Sequence, residues 1–101
     1  MKVVFRRSGG FAPMPIGCDL DTQTMPPDEC QRLQLLIEDS GVMDMHDAEV
    51  KGARDVHYYH IEIEGNGKSK KLKLDQLSVP PQAKPLIDFL IKHSKQLLPD
   101  D

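Results

Sequence analysis

Residues 57 to 74 read HYYHIEIEGNGKSKKLKL, and this stretch decides the fold. Apolar and polar side chains alternate in both halves, with Tyr59, Ile61 and Ile63 before the Gly-Asn-Gly sequence and Leu72 and Leu74 after it. Alternation with a period of two residues is typical of strands that bury one face, and Gly-Asn-Gly can reverse the chain between two such strands. The stretch therefore predicts an antiparallel β-hairpin.

A second hairpin is predicted at the start of the chain. Alternation over residues 2 to 7 stops at Ser8-Gly9-Gly10, and it resumes over residues 16 to 21. The intervening residues 11 to 15 contain two prolines, which restrict the backbone. We therefore expect two strands joined by a long, stiffened tip.

Two helices complete the prediction. Pro26-Pro27-Asp28-Glu29 is typical of a helix start, because proline fits the first turn and acidic side chains favour the positive end of the helix dipole. This helix is expected to run to about Ser40, before Gly41. Pro85 is expected to begin the second helix and Pro99 to close it.

The predicted order of elements is ββαββα. Consecutive strands joined by turns pair as antiparallel neighbours, so we expect one α+β domain over residues 1–101, a single antiparallel four-stranded sheet with two helices on one face. The connection over residues 42 to 54 has no clear periodicity, and a short strand or turn is expected near Met43 to Met45.

The composition limits what such a domain can do. A chain of 101 residues builds one core and leaves little room for a deep enclosed active site, so function is expected on the surface. The 16 acidic and 13 basic residues give a net charge of −3, which argues against general binding of a polyanion. Arg6 and Arg7 interrupt the first apolar run, and no later stretch reaches membrane-spanning length. We therefore expect a cytoplasmic protein with no membrane partner.

Structural roles explain the cysteines and the loop cluster of aspartates and histidine better than catalysis or metal binding does. Cys18 and Cys30 fall on apolar faces of a strand and a helix, so we interpret them as small, reduced core residues and not as catalytic thiols. Asp44, His46 and Asp47 match no zinc-binding spacing, and a solvated loop explains them. We expect neither enzymatic activity nor a bound metal.

The lysines between Lys68 and Lys73 are the one argument for nucleic acid. Glu62 and Glu64 lie on the strand predicted to face them. Opposite charges across an antiparallel pair stabilise it by roughly 0.2–1 kcal/mol, so the sheet itself explains these lysines. Nucleic-acid binding is kept only as a minor alternative.

The segment Arg7-Ser8-Gly9-Gly10-Phe11-Ala12-Pro13 places a large aromatic side chain at a hairpin tip. Two interpretations stay open: Phe11 folds back onto the core, or it anchors a partner from a stiffened loop, which lowers the ordering cost of binding. Following the chain through the predicted elements brings residues 8–13, 54–56 and 77–80 to one end, where they would form a wedge. The Gly65–Gly67 turn would lie at the opposite end.

The chain resembles the emfourin family over nearly its whole length. The likeness consists of the opening K-V-x-F-x-R-S-G-G-F-A from Lys2 to Ala12, a proline and acidic start of a leucine-rich helix, the pattern Asp55-x-x-x-Tyr59-x-Ile61-x-Ile63, and the closing segment from Pro85 to Leu90. The family comprises small bacterial protein inhibitors of thermolysin-like metallopeptidases, typically encoded beside a protease of the protealysin type. The resemblance implies a fold that is cystatin-like in outline.

The resemblance implies an inhibitor whose partner is a thermolysin-like metalloprotease. Together with the shared end, it points to protease contacts by Arg7, Ser8, Gly9, Gly10, Phe11, Ala12, Pro13, Arg54 and Asp55. Phe11 is expected in or near an apolar pocket beside the catalytic zinc of the protease, while Gly9 and Gly10 would let the two backbones approach. We expect an inhibitor without a cofactor that is monomeric when free. The alternative is a regulatory protein–protein interaction module that does not inhibit.

Overall fold

Five strands form one sheet in the computed structural model, which describes residues 1–10, 14–52 and 54–97. The strands are β1 (Lys2–Gly9), β2 (Ile16–Asp21), β3 (His57–Gly65), β4 (Lys68–Asp75) and β5 (Lys95–Gln96). Their order across the sheet is β4-β3-β1-β2-β5, and every neighbouring pair is antiparallel. Pairing of β1 with β3 therefore joins the two predicted hairpins.

Alternation along the strands gives the sheet one apolar face. Phe5 of β1 lies opposite Cys18 of β2 and Ile61 of β3, and Ile61 lies opposite Leu72 of β4. Phe5, Ile61 and Leu72 are almost fully buried. Because directly opposite residues share a face, this row of side chains fixes the register of four strands. The other face carries mainly polar side chains, together with Val4 and Tyr58.

Two helices cover the apolar face. Helix α1 (Pro27–Ser40) has proline in its first turn and ends where Gly41 adopts the left-handed conformation with φ 71°. Helix α2 (Lys84–Lys92) follows a short 3-10 helix, Pro81–Ala83. The buried apolar side chains that the two helices bring to the core are Leu33, Ile37, Leu86, Ile87, Phe89 and Leu90.

The strand β5 corrects the prediction of four strands, and the order of elements becomes ββαββαβ. Helix α2 ends at Lys92, well before Pro99, which lies outside the described residues. The Ser94 hydroxyl donates a hydrogen bond back to the last turn of the helix at 2.7 Å. The chain then returns along β2, where Leu97 N donates to Pro15 O at 2.8 Å. The outer edge of β2 thus supplies hydrogen-bond partners for the backbone that follows α2, which would otherwise be exposed to solvent.

The connection between α1 and β3 runs along the edge of β4. It begins with a 3-10 helix, Val42–Asp44, close to the place where a short strand or turn was expected. Ala48 then pairs with β4 in the parallel sense: its N–H donates to Lys73 O at 3.0 Å, and its carbonyl accepts from Asp75 N at 3.2 Å. We call residues 46 to 50 the strap.

Both cysteines are free thiols. The Cys18 thiol donates to Leu90 O at 3.6 Å, and burial raises the pKa of this thiol. A raised pKa keeps the sulfur protonated and poorly nucleophilic at neutral pH, so Cys18 behaves as a small core residue. In the segments that the structure describes, no helix is long and apolar enough to cross a membrane.

Candidate protein-binding site

Three loops meet at one end of the sheet, which we call the loop end. They are residues 8–10 at the end of β1, residues 54–57 at the start of β3, and residues 76–78 after β4. Gly9 pairs with His57 in the β1–β3 ladder. Gln76 holds His57 from the other side, because its N–H donates to His57 O at 2.8 Å and its side-chain oxygen accepts from His57 N at 3.2 Å. The Gly65–Gly67 turn lies at the opposite end of the sheet.

Of the residues predicted to contact a protease, five lie in two of these loops, namely Ser8, Gly9, Gly10, Arg54 and Asp55. Arg7 is half-buried in β1, and Ser8 follows it in an exposed position. Arg54 and Asp55 are exposed, and Asp55 adopts φ 58°, in the left-handed region that is uncommon for residues other than glycine. The segment Phe11–Ala12–Pro13 lies outside the described residues. Contact between these residues and a protease stays a prediction.

Gly9 and Gly10 are required by the fold itself. Their φ angles are 81° and 65°. A Cβ on Gly9 would lie 2.8 Å from Val56 O and 2.9 Å from the ring of Tyr58, and a Cβ on Gly10 would lie 2.8 Å from the ring of His57. These distances leave no room for a side chain, and the positive φ angles also favour glycine. The close approach that these glycines permit therefore occurs within the chain, between the end of β1 and the start of β3.

Asp75 ties the strap to the loop end. Asp75 is only 1 % exposed, and its carboxylate accepts hydrogen bonds from Val50 N at 2.5 Å and Ser78 N at 2.8 Å. The hydrogen bond from Val50, supported by those from Ser78 and the Leu77 amide, holds the pKa of Asp75 below its usual value, against the opposing effect of burial. Sequence reasoning missed Asp75. The available signal was an aspartate at the end of a predicted strand, because its short side chain readily accepts hydrogen bonds from backbone N–H groups of the following turn.

Three exposed hydrophobic residues lie near Asp75. Among the described residues four large hydrophobic side chains are exposed, and three of them lie here: Val50 at 44 %, Tyr58 at 39 % and Leu77 at 61 %. Tyr58 pairs with Asp75 in the β3–β4 ladder, Val50 donates its N–H to Asp75, and Leu77 follows Asp75 by two residues. We call Val50, Tyr58 and Leu77 the apolar patch. The fourth exposed side chain, Leu35, is on α1.

A groove of about 590 Å³ begins beside the apolar patch and runs along the uncovered face of the sheet. Arg6, His60 and Lys73 line the groove, and the strap forms one of its sides with Asp47 and Glu49. The lining therefore mixes both signs of charge. It lacks the single-sign field that attracts a polyanion.

One residue in each of the two other candidate clusters has an internal partner. In the lysine-rich hairpin, Lys71 Nζ lies 3.6 Å from Glu62 Oε1 on the facing strand. In the strap, Asp47 accepts a hydrogen bond from Lys73 N at 2.9 Å, so this carboxylate has a structural partner. Within the described part of the chain, no three His, Cys, Asp or Glu side chains form a cluster that could hold a metal ion.

The fold is that of a small α+β protein with one covered sheet face and loops gathered at one end. The family model described as Emfourin matches residues 5–91, so the chain belongs to the Emfourin family. This is an inhibitor family, and membership implies a protease as the partner. Comparison with curated proteins and with solved structures found no match.

Proposed function

We propose that the protein inhibits thermolysin-like zinc metallopeptidases by placing its loop end in the active-site cleft. The observation that carries the proposal is the match of the Emfourin family model to residues 5–91. The thermolysin-like target, of the protealysin type, follows from the motifs between Lys2 and Leu90 that resemble the family. Such an inhibitor acts by occupying the cleft, so it needs no catalytic group, metal or cofactor of its own.

The rigidity of the loop end supports this proposal. Gly9 and Gly10 pack against Val56 and His57, and Gln76 holds His57 with two hydrogen bonds. A surface that is already ordered loses little conformational freedom on binding, so more of the contact energy appears as affinity. A stiff loop also resists cleavage when its backbone cannot reach the reactive geometry.

The chemistry of the predicted contact residues also fits a protease cleft. The tip continues from Gly10 into Phe11, the side chain that we place in or near the apolar pocket beside the catalytic zinc. Arg7, Arg54 and Asp55 would form a polar rim around this anchor. A large apolar anchor inside a charged rim is the usual anatomy of a protein–protein interface.

The test is to titrate the purified protein into a thermolysin-like metallopeptidase, with a serine protease as the control. We expect selective inhibition that saturates with concentration, and no effect on the serine protease. If folded protein leaves several thermolysin-like peptidases fully active, the proposal is wrong, and a non-inhibitory interaction module becomes the better description.

The proposal includes the setting in which the inhibitor acts. It places the protein in the cytoplasm of a bacterium, as a monomer when free, beside the peptidase that it controls. Fractionation of the producing cells tests the location, and sedimentation velocity of the purified protein tests the monomeric state. A stable dimer in the free state would contradict this part of the proposal.

A further inference from the structure

We propose that the apolar patch of Val50, Tyr58 and Leu77 is a second anchoring surface for the peptidase, separate from the hairpin tip. This inference rests on the proposed function, because it assigns a further contact to the same inhibitor. Val50 and Tyr58 lie outside the segments expected at the wedge. Leu77 belongs to the turn of residues 77–80 that was expected there, but the sequence motifs assigned it no contact with the protease. The patch would pack against an apolar surface beside the cleft while the tip enters the cleft.

The distribution of exposed hydrophobic side chains is the first argument. Three of the four in the described part of the chain come from three different segments, the strap, β3 and the turn after β4. Single exposed hydrophobic residues are ordinary, whereas exposed hydrophobic residues that the fold gathers near one another are a feature of protein–protein interaction sites. Leu35, the remaining one, is an exposed residue within α1 and shows what an isolated case looks like.

The rigidity of the patch is the second argument. Asp75 is buried beneath it and accepts hydrogen bonds from the Val50 and Ser78 amides, which fixes the strap and the turn that carries Leu77. Tyr58 is held in the β1–β3–β4 ladder, opposite Ser8 and Asp75. Exposed apolar groups on a fixed backbone are suited to binding, since their burial is opposed by little loss of conformational freedom.

Continuity with the tip is the third argument. It indicates that the peptidase is the partner that binds the patch. The ring of Tyr58 lies directly against Gly9, where an added Cβ would come within 2.9 Å of it. The apolar patch therefore borders the residues that lead into the tip. A peptidase that contacts Gly9 would therefore also lie close to Tyr58.

The experiment compares matched truncations of exposed leucines. Leu77→Ala removes a patch side chain from a turn, and Leu35→Ala removes a similarly exposed one from α1. Inhibition constants are measured with one thermolysin-like peptidase that wild-type protein inhibits. We expect Leu77→Ala to weaken inhibition at least about tenfold and Leu35→Ala to change it less than about twofold.

Tyr58→Thr provides a second variant that keeps a strand-forming residue in β3. We expect it to weaken inhibition by a similar factor. Thermal unfolding of each variant shows whether the fold is kept, and Leu77 lies outside every helix and strand, so its truncation is expected to leave the unfolding midpoint nearly unchanged.

Each outcome distinguishes the patch from the proposed function. If the wild type inhibits and folded Leu77→Ala and Tyr58→Thr inhibit equally well, the patch is not an anchor and the proposed function stands. If the wild type inhibits no thermolysin-like peptidase, the proposed function fails and this inference fails with it. If the free wild type dimerises and Leu77→Ala abolishes the dimer without affecting inhibition, the patch serves a second copy of this chain instead.

Discussion

Asp75 is a buried carboxylate held by backbone amides. Its hydrogen bonds favour the charged form, so the pKa in the folded protein lies below the ordinary value of 3.8. A group with a lowered folded pKa contributes stability that is fully present above its unfolded pKa. That contribution is lost as the pH falls through the folded pKa, because the protonated form accepts these hydrogen bonds poorly.

Replacing Asp75 by asparagine tests this assignment. Asp75→Asn keeps the shape but turns an amide NH₂ group toward backbone N–H donors, so we expect a lower thermal midpoint at pH 7. The variant should also lose less stability than the wild type when the pH falls from 5 to 2, since the titrating carboxylate is gone. Thermal unfolding of both proteins across this range is the measurement, and parallel pH profiles would contradict the role given to Asp75.

Gly9→Ala tests the close packing at the loop end. The new Cβ would meet Val56 O and the Tyr58 ring at a φ of 81°, so we expect a loss of roughly 2–4 kcal/mol in the free energy of unfolding. Gly67→Ala is the control, because Gly67 has a similar φ of 74° but nothing within 4 Å of an added Cβ, and only about 1 kcal/mol is expected. Urea unfolding of both variants measures the two losses in the free energy of unfolding. Equal losses would mean that the contacts with Val56 and Tyr58 are unimportant.

Phe11→Ala tests the anchor at the tip. If Phe11 fills an apolar pocket of the peptidase, truncation should weaken binding by about 2 kcal/mol, or roughly thirtyfold in the inhibition constant. The unfolding midpoint of the free inhibitor should hardly change, because an anchor side chain contributes little before binding. A large drop in stability would instead support the interpretation in which Phe11 folds back onto the core. An unchanged inhibition constant would remove Phe11 from the mechanism.

At the scale of elements, local sequence patterns predicted both hairpins and the start and end of α1. Alternation fixes which face of a strand is buried, and Gly41 fixes where α1 stops. The strand β5 and the Ala48 bridge could not be predicted in this way. Each is a short segment without apolar periodicity that becomes regular only because a neighbouring strand offers unpaired backbone groups. The same limit applies to the apolar patch, whose members are brought together by tertiary structure alone.

The strand β5 is expected to support the tip from one side. Leu97 N donates to Pro15 O, and Gln96 pairs with Ile16, so β5 holds the chain where it leaves the tip. Deleting residues 95–101 should reduce stability by about 1–2 kcal/mol and weaken inhibition, because the tip loses this support. Deleting only residues 98–101 keeps β5 and is the control. Equal inhibition by both truncated proteins would show that β5 does not position the tip.

At the scale of the whole molecule, the sheet has one covered face and a single loop end. Both proposed anchors, the tip and the apolar patch, adjoin this end, so one chain is expected to offer one binding surface. We expect a complex of one inhibitor with one peptidase. Light scattering of the complex after gel filtration measures this, with the inhibitor contributing 11.4 kDa. Two peptidases bound to one inhibitor would show that the loop end is not the whole interface.

The strap also bears on how the protein behaves at high concentration. A free strand edge is a template on which another chain can add a strand and start an aggregate. Ala48 occupies the backbone of β4 next to Lys73 and Asp75, while Lys68, Lys70 and Lys71 place positive charge along the rest of that edge. The connection that carries one side of the apolar patch thereby also blocks part of the β4 edge, where another copy of the chain could otherwise add a strand.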